Sequence, residues 1–169
     1  FDSAGGTNDK LHVDISTLEG ANVLIASTTI DLVEIHDNNS VADANGTPAA
    51  MGVQVLTAAA TAADAKNFFV IDGGGTTYAN AAAAVDALEA GGGFALTFNG
   101  NIAADHGFLF AYENDAGGTT IAIANFAAGD NNGGGAAATP AGNLEGVDIL
   151  TLAGMADATV LAAAEMFWN

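Results

Sequence analysis

Between Gly107 and Phe126 the chain reads GFLFAYENDAGGTTIAIANF, two alternating apolar arms around an Asn-Asp-Ala-Gly-Gly turn. No other stretch constrains the fold as much. Phe108, Phe110 and Tyr112 fall on one face of the first arm, and Ile121 and Ile123 repeat at the same spacing in the second. A two-residue period is the signature of a strand, so this spacing predicts a half-buried antiparallel pair. Asn114, Asp115, Gly117 and Gly118 supply the residue types that tolerate positive φ in a short hairpin loop.

The same reasoning applied along the chain predicts strands at Leu11–Ile15, Val23–His36, Gly52–Leu56, Asn67–Asp72, Phe94–Asn99 and Val147–Leu152, separated by Gly/Asn/Asp clusters. One helix stands out. The stretch TTYANAAAAVDALEAGGG has an Ala-rich interior, a Thr or Asn to cap its start and a glycine run to stop it, which predicts a helix at about Tyr78 to Ala90. A second, short helix is expected over Asp157–Glu165. The expected fold is therefore mainly β, an antiparallel β-sandwich with one principal helix and Gly/Asn/Asp-rich loops. Its organisation reads as an extended arm over residues 1–36 followed by the sandwich domain over 37–169. The low-complexity run Ala127–Asn143 has no periodicity and reads as a long surface loop.

Composition limits the partners. Twenty acidic residues against two basic ones give the 169-residue chain a formal charge of −18, which repels nucleic acid and anionic membranes and favours cations. Cysteine is absent, which removes disulfides, thiolate metal sites and cysteine catalysis. No apolar run is long enough for a helical membrane span, so no membrane insertion is expected. A start at Phe1, with no basic segment leading into an apolar one, reads as a processed or partial product.

The opening FDSAGGTNDKLHVDIS resembles the Asp/Gly segments that introduce terminal modules in repeats-in-toxin proteins exported by type I secretion. The second half is similar to the ends of such proteins: the FLFAY…GGTTIAIA hairpin, an Asp/Asn/Gly loop and the closing phrase ILTLAGMADATVLAAAEMFW. The tandem Gly-Gly-x-Gly-x-Asp-x-Leu-x nonapeptides of a calcium β-roll are absent. What the resemblance implies is a bacterial extracellular or cell-surface protein with an uncleaved C-terminal export signal, without a β-roll.

Each segment that could carry chemistry has two readings. DNNSVADANG, Asp37 to Gly46, offers the hard oxygen donors Asp37, Asn39, Asp43 and Asn45 that Ca²⁺ prefers, yet lacks the spacing and bidentate Glu of an EF-hand loop; it is a calcium site or a solvated turn. Asp2, Asp9 and Asp14 form a second loose group with the same alternatives. The run DGGGTT before the helix has the outline of a phosphate cradle, but no Lys follows and Asp72 opposes an anion, so it reads as a turn. His12, His36 and His106 are too scattered for zinc or for a hydrolase triad. Asn38-Asn39-Ser40 and Asn45-Gly46-Thr47 match the glycan acceptor pattern, leaving surface glycans open.

These readings point away from an enzyme and toward a secreted structural subunit that assembles with copies of itself into a filament, sheath or surface layer. Strand exchange is one route, since Val23–His36 is long, apolar and β-branched, and Lys and Pro, the usual guards of a sheet edge, are scarce. The alternative is a C-terminal export and calcium-dependent folding domain of a larger secreted adhesin or enzyme.

Overall fold

A computed structural model describes residues 10–13, 49–50, 53–63, 66, 68–98, 107–127, 139–163 and 165–168. In chain order the elements are β1 (Lys10–Val13), β2 (Ala49–Ala50), β3 (Val53–Leu56), β4 (Ala60–Thr61), β5 (Phe68–Ile71), α1 (Ala81–Leu88), β6 (Leu96–Thr97), β7 (Gly107–Glu113), β8 (Thr119–Phe126), β9 (Leu144–Leu152), α2 (Val160–Ala163) and β10 (Glu165–Trp168). The fold is mainly β. Its principal sheet has five strands in the order β3-β5-β7-β8-β9; β1-β10-β2 and β4-β6 form two smaller sheets. The expected strand Val23–His36 lies outside the described residues, as does most of the expected loop, residues 128–138. The ends of that loop meet, with the Ala127 N–H donating to the Asn143 carbonyl at 2.9 Å.

The hairpin β7–β8 forms where the alternation and turn chemistry place it. Phe110 lies opposite Ala122 and Ala111 opposite Ile121. The turn closes with Asn114 N–H donating to the Gly118 carbonyl at 2.8 Å and Gly117 N–H donating to the Asn114 carbonyl at 3.0 Å. Gly117 has φ of 79°, the left-handed conformation such a loop needs at this position. Asn114 is itself buried: its Oδ1 accepts from Ala116 and Gly118 N–H, and its Nδ2 donates to Thr120 Oγ1 at 2.9 Å.

The pair is buried on both faces, not one. Its alternation is of size more than polarity. Phe108, Phe110 and Tyr112 face Ala124, Ala122 and Thr120 across the ladder, while Leu109 and Ala111 face Ile123 and Ile121. Large opposes small on the first face, leaving room for a second layer. That layer is α1 with the β4–β6 pair: Ala81, Ala84, Val85, Leu88, Leu96 and Phe98 join Phe69, Phe108, Phe110, Tyr112 and Phe126 in one core. Phe98 packs edge-on to Phe69 at 6.2 Å and to Phe126 at 5.5 Å, and Phe69 edge-on to Phe108 at 5.3 Å, the arrangement aromatic quadrupoles prefer. A second core on the opposite face gathers Phe68, Val70, Leu109, Ala111, Ile121 and Ile123 beneath Ala158 and Leu161.

The principal sheet is mixed where an antiparallel one was expected. β3–β5 and β5–β7 are parallel; β7–β8 and β8–β9 are antiparallel. For β5–β7 the cause is the crossover through α1, because a strand that returns after a helix on one face re-enters the sheet in the same direction; β3 and β5 are joined by a crossover through β4. The expected strand Phe94–Asn99 contributes only Leu96–Thr97, which pairs with β4. The principal helix is shorter than Tyr78 to Ala90: Asn80 is its N-cap, accepting from Ala83 N–H at 2.9 Å, and Tyr78 instead forms a bridge with Asn114. The expected closing helix is confined to α2, and β10 follows it, parallel to β1 and antiparallel to β2.

Candidate functional site

The seven oxygen donors singled out in the sequence, Asp2, Asp9, Asp14, Asp37, Asn39, Asp43 and Asn45, lie outside the described residues. Among the described residues no group of three or more His, Cys, Asp or Glu side chains is arranged to hold a metal. His12 sits on β1, and His36 and His106 lie outside the description. Candidate sites therefore come from the ends, edges and clefts of the principal sheet.

One cluster lies where β5 and β7 end. Glu113 closes β7 half-buried, and its carboxyl is pushed above the ordinary 4.5 by burial, then by the carboxylates of Asp157 and Asp72; a backbone hydrogen bond with Ala158 opposes them. Proton or cation uptake is favoured there. Asp72 is already engaged: its Oδ1 accepts from Gly74 N–H at 3.2 Å, and Thr76 N–H donates to the Gly73 carbonyl at 3.1 Å. The glycine run is a self-closed turn, since a carboxylate occupies the place an anion would take. Asp157 likewise accepts from Thr159 N–H at 2.8 Å and Thr159 Oγ1 at 2.6 Å. It lines a cleft of about 510 Å³ with Thr151, Leu152, Met155 and Val160, anchored where Thr119 Oγ1 donates to the Met155 carbonyl at 2.7 Å.

A second constellation was not foreseen. In β9, Ala122 pairs with Asp148 but Ile121 pairs with Leu150, so Ile149 is an extra residue and the strand bulges. A bulge re-aims its neighbours. Asp148 Oδ1 accepts from the Tyr112 hydroxyl at 2.6 Å and from Ala81 N–H at 3.0 Å. The carboxylate thus sits at the N-terminus of α1, where the helix dipole favours it. Burial, then the Asp148 carboxylate, push the Tyr112 phenol well above its ordinary value, and burial also raises Tyr78, whose ring meets Tyr112 edge-on at 5.9 Å. The helix is seated closely: a Cβ on Gly146 would lie 2.5 Å from the Ala81 carbonyl oxygen. This site holds the layers together, and nothing in it activates a nucleophile.

The third feature is the rim. Among the described residues β3 and β9 have no strand partner on their outer sides. β3 reads VQVL and carries no charge, whereas β9, LEGVDILTL, carries Glu145, Asp148 and the bulge. Charges and bulges discourage edge pairing, so the two rims are unequal. Alternation in the sequence marks both strands; their positions at opposite edges follow from the order in which the strands join the sheet, which no local pattern encodes.

Compared with known proteins, the chain matches no family model, no curated protein and no solved structure. No described helix is long and apolar enough to cross a membrane.

Proposed function

We propose that the chain is a non-enzymatic structural subunit, exported to the cell surface or beyond, that assembles with copies of itself into a filament, sheath or surface layer. The observation that carries this reading is a five-stranded sheet whose inner strands β7 and β8 are buried on both faces while β3 and β9 have no strand partner on their outer sides among the described residues. Such rims are templates for another chain. Calcium is the proposed partner ion, supported by the charge of −18 and by the oxygen donors at Asp2, Asp9, Asp14, Asp37, Asn39, Asp43 and Asn45. Type I export is the route the resemblance favours.

Gel filtration and negative-stain microscopy of the 169-residue chain, with and without calcium, test the proposal. Ordered polymers are expected, and a monomer under every condition would refute it. The second reading, an export and calcium-dependent folding domain of a larger adhesin or enzyme, draws on the resemblance of the second half of the chain to the ends of exported repeats-in-toxin proteins. A monomer whose melting temperature rises with calcium would favour that reading instead.

A further inference from the structure

Two large hydrophobic residues are exposed among the described residues, Val55 at 38% and Leu150 at 40%. They are related through the ladder. Val55 pairs with Val70, Val70 with Ala111, Ala111 with Ile121 and Ile121 with Leu150. The five residues form one cross-strand row from rim to rim, its three inner members buried in the core beneath Ala158 and Leu161. The row ends in an apolar side chain at each edge.

The strand directions allow the row to continue. β3, β5 and β7 are parallel, and two antiparallel steps bring β9 back to that direction. A second copy displaced along the row therefore presents β9 parallel to β3, with the same face of the sheet on the same side. Charge is compatible with this pairing, since β3 carries no charged side chain to oppose Glu145 and Asp148 of β9.

We propose that β3 of one copy pairs with β9 of the next, Val55 beside Leu150, joining the sheets into a continuous ribbon. The proposal rests on the self-assembly reading above and names its interface. Because the contact is head-to-tail and does not close on itself, it generates an open filament. Five strands at about 4.8 Å give roughly 24 Å of sheet per subunit. Strand-to-strand twists of about 20–25° accumulate to roughly 100–125° of rotation per subunit.

The test uses Val55→Lys and Leu150→Lys in the full chain, each placing a guarding charge on one rim. Both are first checked for a cooperative melt, and Val55→Thr and Leu150→Thr replace any variant that fails it. Sedimentation and electron microscopy at physiological salt with calcium should show filaments for the wild type and monomers for each variant alone. An equal mixture of the two variants should give dimers and nothing larger, because each retains the rim the other lacks. Filaments from both single variants would overturn this interface and leave the subunit reading standing. Polymers from one variant only would also overturn it, in favour of a single accepting rim filled by a strand such as Val23–His36. Self-dimers of Leu150→Lys would indicate a symmetric β3 contact, and a mixture that stays monomeric while the wild type polymerises would exclude head-to-tail pairing. A wild type that never associates would overturn both readings.

Discussion

Removing the carboxylate of Asp148 should cost more than removing the hydroxyl that donates to it, and the two losses should not add. The Tyr112 side chain is 1% exposed, and its hydroxyl donates to Asp148 Oδ1 at 2.6 Å while Ala81 N–H donates to the same oxygen at 3.0 Å. Tyr112→Phe deletes one charge-assisted bond, about 1.5 kcal/mol once the freed carboxylate regains water. Asp148→Ala deletes that bond, leaves the hydroxyl buried without an acceptor and strips an anion from the start of α1, together about 3 kcal/mol. In the double variant no orphaned hydroxyl remains, so the cost should be about 2.5 kcal/mol instead of the additive 4.5, a coupling of about 2 kcal/mol. Urea unfolding of the four proteins measures it. Additivity to within about 0.5 kcal/mol would show that the hydroxyl and the carboxylate do not act as a unit. A pH series gives a second readout. The raised Tyr112 phenol keeps its proton in the folded state after the unfolded chain ionises near 10.0, so stability present below that pH should fall as pH rises past it, and Tyr112→Phe should lack this component of the loss.

Gly146→Ala should destabilise by about 1–3 kcal/mol in thermal melts, because the added methyl lies 2.5 Å from the Ala81 carbonyl and α1 must move away. Phe98→Ala should cost about 3–5 kcal/mol by removing the ring that joins Phe69, Phe108 and Phe126, and a loss under about 1 kcal/mol would mean that the core is not organised around it. Glu113 holds its proton more tightly in the folded chain than the ordinary 4.5, so wild-type stability should gain from this group as pH falls through the folded value toward 4.5. Glu113→Gln should therefore melt higher than the wild type at neutral pH and lose that advantage below 4.5. Calorimetry should detect calcium binding with a larger rise in melting temperature than equimolar magnesium produces; equal effects would indicate screening, and no heat with either ion would exclude a site.

The hairpin was legible because everything that specifies it is local: the period of its apolar residues, and an Asn and a Gly where the loop needs them. The burial of its second face departs from the half-buried pair that the alternation suggested, although a signal for it lay in the residues. The arms FLFAY and TTIAIANF contain no alternating charges, and a strand with apolar residues on both sides is one that is covered on both sides. The helix core was readable from its Ala run, but its start was not. Tyr78 looks as helical as its neighbours until Asn114, far along the chain, pairs with it. The parallel half of the sheet depends on which strand the chain joins after the crossover, and β6 and β7 were both available. The site around Asp148 was hidden for a related reason: the bulge at Ile149 is a mismatch between two strands, absent from either one read alone. Glu113 likewise becomes unusual only when the fold buries it and brings Asp157 and Asp72 near it from distant segments.

The contact that joins Ala127 to Asn143 has a practical consequence. β8 and β9 remain paired up to Phe126 and Leu144, with the 2.9 Å bond just beyond sealing the ladder, and Thr139 and Pro140 are tied in turn to Thr97 and Ala90, so the interval between these anchors is 128–138. Whatever is spliced into that interval is closed off from the sheet by a clasp already in place. The position is a natural port for a tag, an epitope or a fluorophore, and in a head-to-tail ribbon it would recur once per subunit, turning a single insertion into a regularly spaced array.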